Sequence, residues 1–320
     1  MVCCKRWGYL RAVKSGLAIL SLFLMLLLTG CVEDAPLPEE PGEPRVVILP
    51  TQALQPSAGD EYIQENHVTI DISNTDSGYV KVRYTGLAGR VVAQIEREGT
   101  FTFDINTHGY WEVLPLNMGN GYYTVRVLEN IEGQMFALAV STTVDVNLRH
   151  HTLPFLYPNQ YVNFNQDSKA VALAATLAEG ATSDLEVVRR IYSYITENIE
   201  YDHEFANAII AGEITRYIPD IDATLISRRG ICFDYAALMT AMLRAQKIPA
   251  RLEIGYVTGG IYHAWISVYI EDMGGWINMI RFETGSWTIM DPTLSAGGKD
   301  GKTLAEFIGE DANYWVMRIY

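Results

Sequence analysis

The chain has few cysteines, few histidines and a shortage of positive charge. Of 320 residues, 4 are Cys and 6 are His, and 24 Lys and Arg face 38 Asp and Glu. The cysteines are Cys3, Cys4, Cys31 and Cys232, so beyond residue 31 a single thiol is left without a partner in its own chain. That excludes a disulfide framework and a structural zinc site of the Cys₄ or Cys₂His₂ kind for the bulk of the protein. The net charge of −14, with no basic stripe to offset it, repels phosphate backbones and argues against nucleic acid as a partner. With 49% hydrophobic and 19% charged residues, the composition is that of a globular protein with room for about two domains, not of a disordered, collagen-like or polytopic membrane chain.

The first thirty residues read as an address. Lys5, Arg6, Arg11 and Lys14 precede the apolar run Gly16–Leu28. That run suits the hydrophobic region of a secretory signal and falls short of the roughly 20 residues a spanning helix needs. Removing residues 1–30 takes the net charge from −14 to −18. Leu28-Thr29-Gly30-Cys31 resembles the lipobox of bacterial lipoproteins, which implies cleavage before Cys31 and acylation of its thiol. Residues 31–45 then form a tether: four prolines and five acidic residues within 32–45 leave no core to build. As polyproline II, it spans roughly 40 Å. The expected location is extracytoplasmic, with the membrane contacted through the N-terminal lipid.

From 46 to 150 the hydrophobic period is two. Val68, Ile70 and Ile72 alternate with polar residues, as do Val80, Val82 and Tyr84. Further runs follow at 91–98, 101–106, 110–116, 122–130 and 134–147, with turn residues between them. About seven such strands predict an antiparallel sandwich, immunoglobulin-like in kind. It holds no cluster of catalytic residue types; His67 and His108 read as surface or turn residues, and the region as a spacer or binding module.

Beyond 151 the period becomes helical. Ser168–Glu179 is alanine-rich, with Ser168 as a candidate N-cap and Gly180 as a stop. Ser183-Asp184-Leu185-Glu186 reads as a capping box. The stripe Val187, Val188, Ile191, Tyr194, Ile195 and Ile199 follows it. A short helix is expected at 203–211 and a long one from Cys232 to about Gln246, then strands at 251–257, 263–271, 275–282 and 287–290. Helices first and antiparallel strands afterwards predict an α+β layout over 151–320.

Cys232 opens the long helix, where the macrodipole favours a thiolate and freed backbone N–H groups can receive an oxyanion. His263 begins a strand and Asp291 closes a later one, the order in which a thiolate, its base and the group that orients the base can meet. The residues alone leave open a buried, inert Cys232, a core His263 and a turn-forming Asp291.

Four motifs go further. Gly230-Ile231-Cys232-Phe233-Asp234-Tyr235-Ala236, Met242–Arg251, Tyr262-His263-Ala264-Trp265 and Asp291-Pro292-Thr293 together resemble the transglutaminase-like core, the bacterial branch of the papain-like cysteine enzymes. The resemblance covers about 182–295 and implies Cys232 as nucleophile, His263 as general base and acid, and Asp291 as its orienter. Tyr201-Asp202 also resembles a family element; with Trp265 these are expected to line the site. The 28 residues from His263 to Asp291 exceed the simplest family hairpin, so an extra strand at 275–282 is expected.

The whole is therefore expected to be multidomain, an all-β immunoglobulin-like sandwich followed by an α+β transglutaminase-like (papain-like) domain. The expected activity is hydrolysis of amide or isopeptide bonds in envelope proteins or peptidoglycan peptides through a Cys thioester. The same residues would also serve an amine acyltransferase that cross-links proteins, and a non-catalytic binding lipoprotein would leave them unused. No metal or cofactor is expected: His150, His151 and His203 lack ligand spacing, and the acidic stretches 202–204 and 220–222 read as solvated faces. Asp234 is expected to stabilise the first turn of the Cys232 helix. Trp265, Trp276 and Trp287 read as core or cleft wall.

Overall fold

Alternating apolar residues build the first half as eight strands. These are β1 (Tyr62–Glu65), β2 (Val68–Asp71), β3 (Tyr79–Tyr84), β4 (Val91–Glu96), β5 (Thr100–Asp104), β6 (Trp111–Pro115), β7 (Gly121–Glu132) and β8 (Met135–Val146). They form two four-stranded antiparallel sheets, ordered β1-β2-β3-β6 and β5-β4-β7-β8. Val80, Val82 and Tyr84 from the first sheet share one buried core with Ala93, Ile95, Val125 and Val127 from the second. β1 has no counterpart in the hydrophobic pattern, since it is polar and mostly exposed. It is an edge strand held to β2 by a two-residue turn in which Asn66 takes a left-handed φ of 51°.

The computed structural model describes residues 43–277, 279–281, 287–289, 291–293 and 314–320. The expected signal segment 1–30, the lipidation site Cys31, most of the tether and the ends of the strands expected at 275–282 and 287–290 lie outside the described residues. Among the described residues, no helix is long and apolar enough to cross a membrane.

The second half begins with α1 (Lys169–Ala178), α2 (Asp184–Asn198), β9 (Glu200–Tyr201), α3 (His203–Ile210), α4 (Ile221–Ser227), β10 (Arg229–Gly230) and α5 (Cys232–Ala245). Then come β11 (Ala250–Val257), β12 (Ile261–Ile270), β13 (Gly275–Ile277), β14 (Met279–Arg281), β15 (Trp287–Ile289) and β16 (Tyr314–Ile319). One antiparallel sheet runs β13-β12-β11-β16, and β14 pairs with β15. The expected extra strand between His263 and Asp291 is thus two short ones. On α2 it is Tyr192 that is buried, while Tyr194, expected in the stripe, is only partly so. α5 is buried from Asp234 to Ala245, because it packs against α1, α2 and α4 on some sides and β11 and β12 on others.

The acidic stretches, expected as solvated faces, do lie at the surface, with Glu204 and Asp220 exposed, and they also supply helix caps. Asp202 accepts from Phe205 N at the start of α3, and Asp220 from Asp222 N and Ala223 N at the start of α4. The Asp222 carboxylate reaches out of its own helix to Lys169 N and Ala170 N, both at 3.0 Å. It caps α1 in place of Ser168, whose hydroxyl turns back to Asn165 N. Each cap satisfies amides that a helix cannot satisfy within itself. Ser183 caps α2 as expected, but Glu186 completes the box one residue early, on Thr182 N.

Glu43–Tyr320 forms one compact unit. The all-β part is joined to the α+β part through the last strand: Tyr320 meets the rings of Phe101, Phe103 and Tyr161 at 4.4–6.2 Å, and Asn117 Nδ2 donates to Ile319 O at 2.5 Å.

Candidate active site

Cys232 is the first residue of α5 and is half-buried. Its place is set from both sides. Upstream, β10 pairs in parallel with β9, and Asp202 N donates to Gly230 O at 2.9 Å. Downstream, Asp234 accepts from Ile231 N at 2.8 Å and from the Tyr217 hydroxyl at 2.5 Å. Asp234 therefore ties down the first turn, the role expected of it. Burial raises its pKa, which those two hydrogen bonds oppose and the charges of Asp202 and Asp220 reinforce.

Gly230 makes this approach possible. A Cβ there would lie 2.7 Å from Asp234 Cβ and 3.2 Å from the Thr224 methyl. Gly230→Ala is expected to destabilise the fold by about 1–3 kcal/mol through overpacking and to displace the first turn of α5. Thermal unfolding, together with the rate of Cys232 alkylation, measures both effects; an unchanged pair of values would overturn the packing account.

His263 lies on β12 opposite Gly255 of β11 and is 6% exposed. A Cβ on Gly255 would sit 1.9 Å from the Trp315 carbonyl oxygen, at the bulge where β11 meets β16. The His263 imidazole donates from Nε2 to Asp291 Oδ2 at 2.5 Å, and Cys232 is near enough to act on its charge. Burial works against the imidazolium. The Asp291 carboxylate and the Cys232 sulfur outweigh it and push the His263 pKa up to about 10. Asp291 is 0% exposed, two residues after β15.

The structure thus brings Cys232, His263 and Asp291 together. It also adds Tyr314, which no sequence signal marked. The Tyr314 hydroxyl donates to Asp291 Oδ2 at 3.3 Å, and burial followed by the Asp291 charge raises its pKa. Its ring meets Trp265 edge-on at 4.9 Å, while Trp265 stacks beside His263 at 6.2 Å and 21°. Trp265, Tyr314, Asp291 and His263 therefore close a ring of contacts that leaves the imidazole little freedom.

The three residues expected to line the site differ in role. Tyr201 lies in its field: burial first, then charge at Cys232, Asp234 and Asp291, pushes its pKa up to about 12. Trp265 is buried wall. Asp202 caps α3 and pairs with Arg229 at 3.2 Å. Among the described residues, the amides of Cys232 and Phe233, at the head of α5, donate to no backbone carbonyl. No group of three or more His, Cys, Asp or Glu able to hold a metal ion occurs among the described residues.

Residues 171–292, which contain all three of these side chains, match a family profile described as the transglutaminase-like superfamily. Over 142 residues, 41% of this chain, the sequence is 30% identical to kyphoscoliosis peptidase of Mus musculus and covers 19% of that protein. The chain thus spans about a fifth of the length of this curated relative. Among solved structures, a candidate cysteine protease from Cytophaga hutchinsonii aligns over 73% of this chain and 79% of its own, at 23% identity and a TM-score of 0.34. Red sea bream transglutaminase aligns over 70% of this chain and 49% of its own, at 12% identity and a TM-score of 0.26.

Proposed function

Because this protein carries a transglutaminase-like domain, we propose that it is a cysteine hydrolase that cleaves amide or isopeptide bonds with Cys232, His263 and Asp291. The observation that carries the reading is the imidazole bonded at Nε2 to a fully buried carboxylate, with the half-buried Cys232 at a helix N-terminus near enough to act on its charge. The Cys232 thiolate attacks the carbonyl carbon, and the oxyanion takes the amides of Cys232 and Phe233. The imidazolium gives its proton to the leaving amine as the C–N bond breaks. His263 then takes a proton from water, whose oxygen attacks the thioester as the C–S bond breaks, releasing the acid and restoring the thiolate–imidazolium pair. Asp291 holds the ring in the tautomer that keeps the nitrogen near sulfur in play.

Hydrolysis is favoured over amine transfer because water always reaches a half-exposed sulfur, whereas transfer requires an amine-binding site as well. The leader, the lipobox-like Cys31 and the acidic tether support an extracytoplasmic, lipid-anchored protein acting on envelope proteins or peptidoglycan peptides. Sheet order supports an immunoglobulin-like sandwich: β2-β3-β6 against β5-β4-β7-β8 is a Greek-key arrangement of that kind.

The test is the alkylation rate of Cys232 by iodoacetamide against pH, on the full chain, followed at the Cys232 peptide by mass spectrometry. An ordinary thiol with a pKa near 8.5 is only about 0.3% thiolate at pH 6. An ion-paired thiolate gains most of that factor but is a weaker nucleophile, so a net advantage of about tenfold is expected, with a plateau below pH 7. His263→Ala should remove it. A wild-type rate that climbs only above pH 8, or an equally fast mutant, would sink the proposal.

A further inference from the structure

Directly opposed residues on neighbouring antiparallel strands share a face. Tyr262 on β12 opposes Tyr256 on β11, which opposes Trp315 on β16. All three are large and open to solvent, at 56%, 43% and 53% exposure, and the two tyrosine rings meet at 5.4 Å. Ile254, Ala264 and Arg318 belong to the same face by the same register. Ile254 and Ala264 are buried in the core with α5, so the aromatic row continues the α5-covered face, with Tyr262 next to His263 in β12. The Tyr262 phenol accordingly feels both Cys232 and Arg318.

Arg318 is exposed and lies close enough to the phenol of buried Tyr320 to feel its charge; Tyr320 packs on Tyr161, and Tyr161 in turn on Phe233, the residue after Cys232. Among the described residues no carboxylate pairs with Arg318, whereas most other surface arginines of the chain have one, such as Arg90, Arg126 and Arg229. A guanidinium that meets no carboxylate among the described residues, on the sheet face that also holds Tyr262, is a local inversion of the field in a protein carrying a net charge of −14.

We propose that Arg318 is a specificity-determining residue that binds a carboxylate of the acyl donor close to the carbonyl attacked by Cys232, with Tyr262, Tyr256 and Trp315 as the flat bed beneath the chain. The substrate class is therefore an acidic peptide or amide, with a free carboxylate near the bond that is cut. The assignment rests on Cys232 being the nucleophile, and the experiment keeps the two apart.

Iodoacetate and iodoacetamide differ by one carboxylate and react alike, the thiolate displacing iodide. Their rates at Cys232 are to be measured at pH 7 on the full-length wild type, Arg318→Gln and Arg318→Lys. Arg318→Gln should slow iodoacetate about five- to tenfold and iodoacetamide less than twofold. Arg318→Lys should retain most of the preference, and 0.5 M KCl should shrink it. Equal slowing of both reagents would make Arg318 structural, and an unchanged ratio with fast labelling would remove the assignment alone. A wild-type thiol that iodoacetamide labels only above pH 8 would remove the nucleophile itself.

Discussion

Asp291→Asn should lower kcat/KM by about 100-fold or more and move the alkaline limb of its pH profile down from near 10 toward the ordinary histidine range. In the proposed mechanism the active form of the site is the imidazolium, and its raised pKa has one main support, the buried carboxylate on Nε2. Asparagine keeps the shape and removes the charge. Burial of His263, which opposes the imidazolium, then goes largely uncompensated. The same linkage appears in stability. A base whose folded pKa lies above its unfolded value stabilises the fold fully below pH 6.5, and this contribution fades as pH rises through about 10. Wild-type protein should therefore lose thermal stability between pH 7 and pH 10, and the Asn variant should lose less. A mutant with the wild-type alkaline limb would reduce Asp291 to a turn former ahead of Pro292.

Arg244→Met is expected to destabilise the fold by about 3 kcal/mol, a fall of about 6–12 °C in Tm. Arg244 is completely buried, and burial pulls its pKa down to about 9. Its guanidinium donates to Ala250 O from Nε and Nη2 at 3.0 and 2.8 Å, to Tyr157 O at 2.8 Å and to Tyr320 O at 2.7 Å. Methionine matches the volume but takes the guanidinium from the carbonyls of Ala250 and Tyr157, each worth about 1–3 kcal/mol, while Tyr320 O keeps the amide of Leu252; relief from burying a charge offsets part of this. Arg244 joins the far end of α5 to β11 and to the residue after β16. Its loss should also slow Cys232 alkylation, because Cys232 and His263 are held on the elements it fastens together. Differential scanning calorimetry and the alkylation rate measure the two effects, and an unchanged Tm would refute the accounting.

The heart of this site is legible in the sequence because each part carries a local mark. Gly230-Ile231-Cys232 announces a helix start, and the alternation around His263 announces a strand. Asp291 before Pro292 announces a strand end. What escapes is non-local or short. α4 has seven residues, too few for a helical period to show, so its cap Asp220 and the α1 cap Asp222 that it carries looked like loose acids. β16 reads Tyr-Trp-Val-Met-Arg-Ile with no clean alternation, and its pairing with β11 spans more than fifty residues. Tyr314 and Arg318 were missed for that reason: a register between distant strands brings them to Asp291 and Tyr262, and nothing near them in sequence says so.

The strand order β13-β12-β11-β16 also sets a schedule. On the ribosome Cys232 is made 88 residues before Tyr320. At roughly 5–20 residues per second, some five to twenty seconds separate them. Until then β11 lacks its outer partner, Asp291 lacks the Tyr314 hydroxyl and Arg244 lacks one of its carbonyls. The sulfur is synthesised early, and the parts that aim and hold its partner arrive last. The nascent chain thus carries a cysteine whose partners are still missing, and the reactivity proposed for it belongs to the finished molecule.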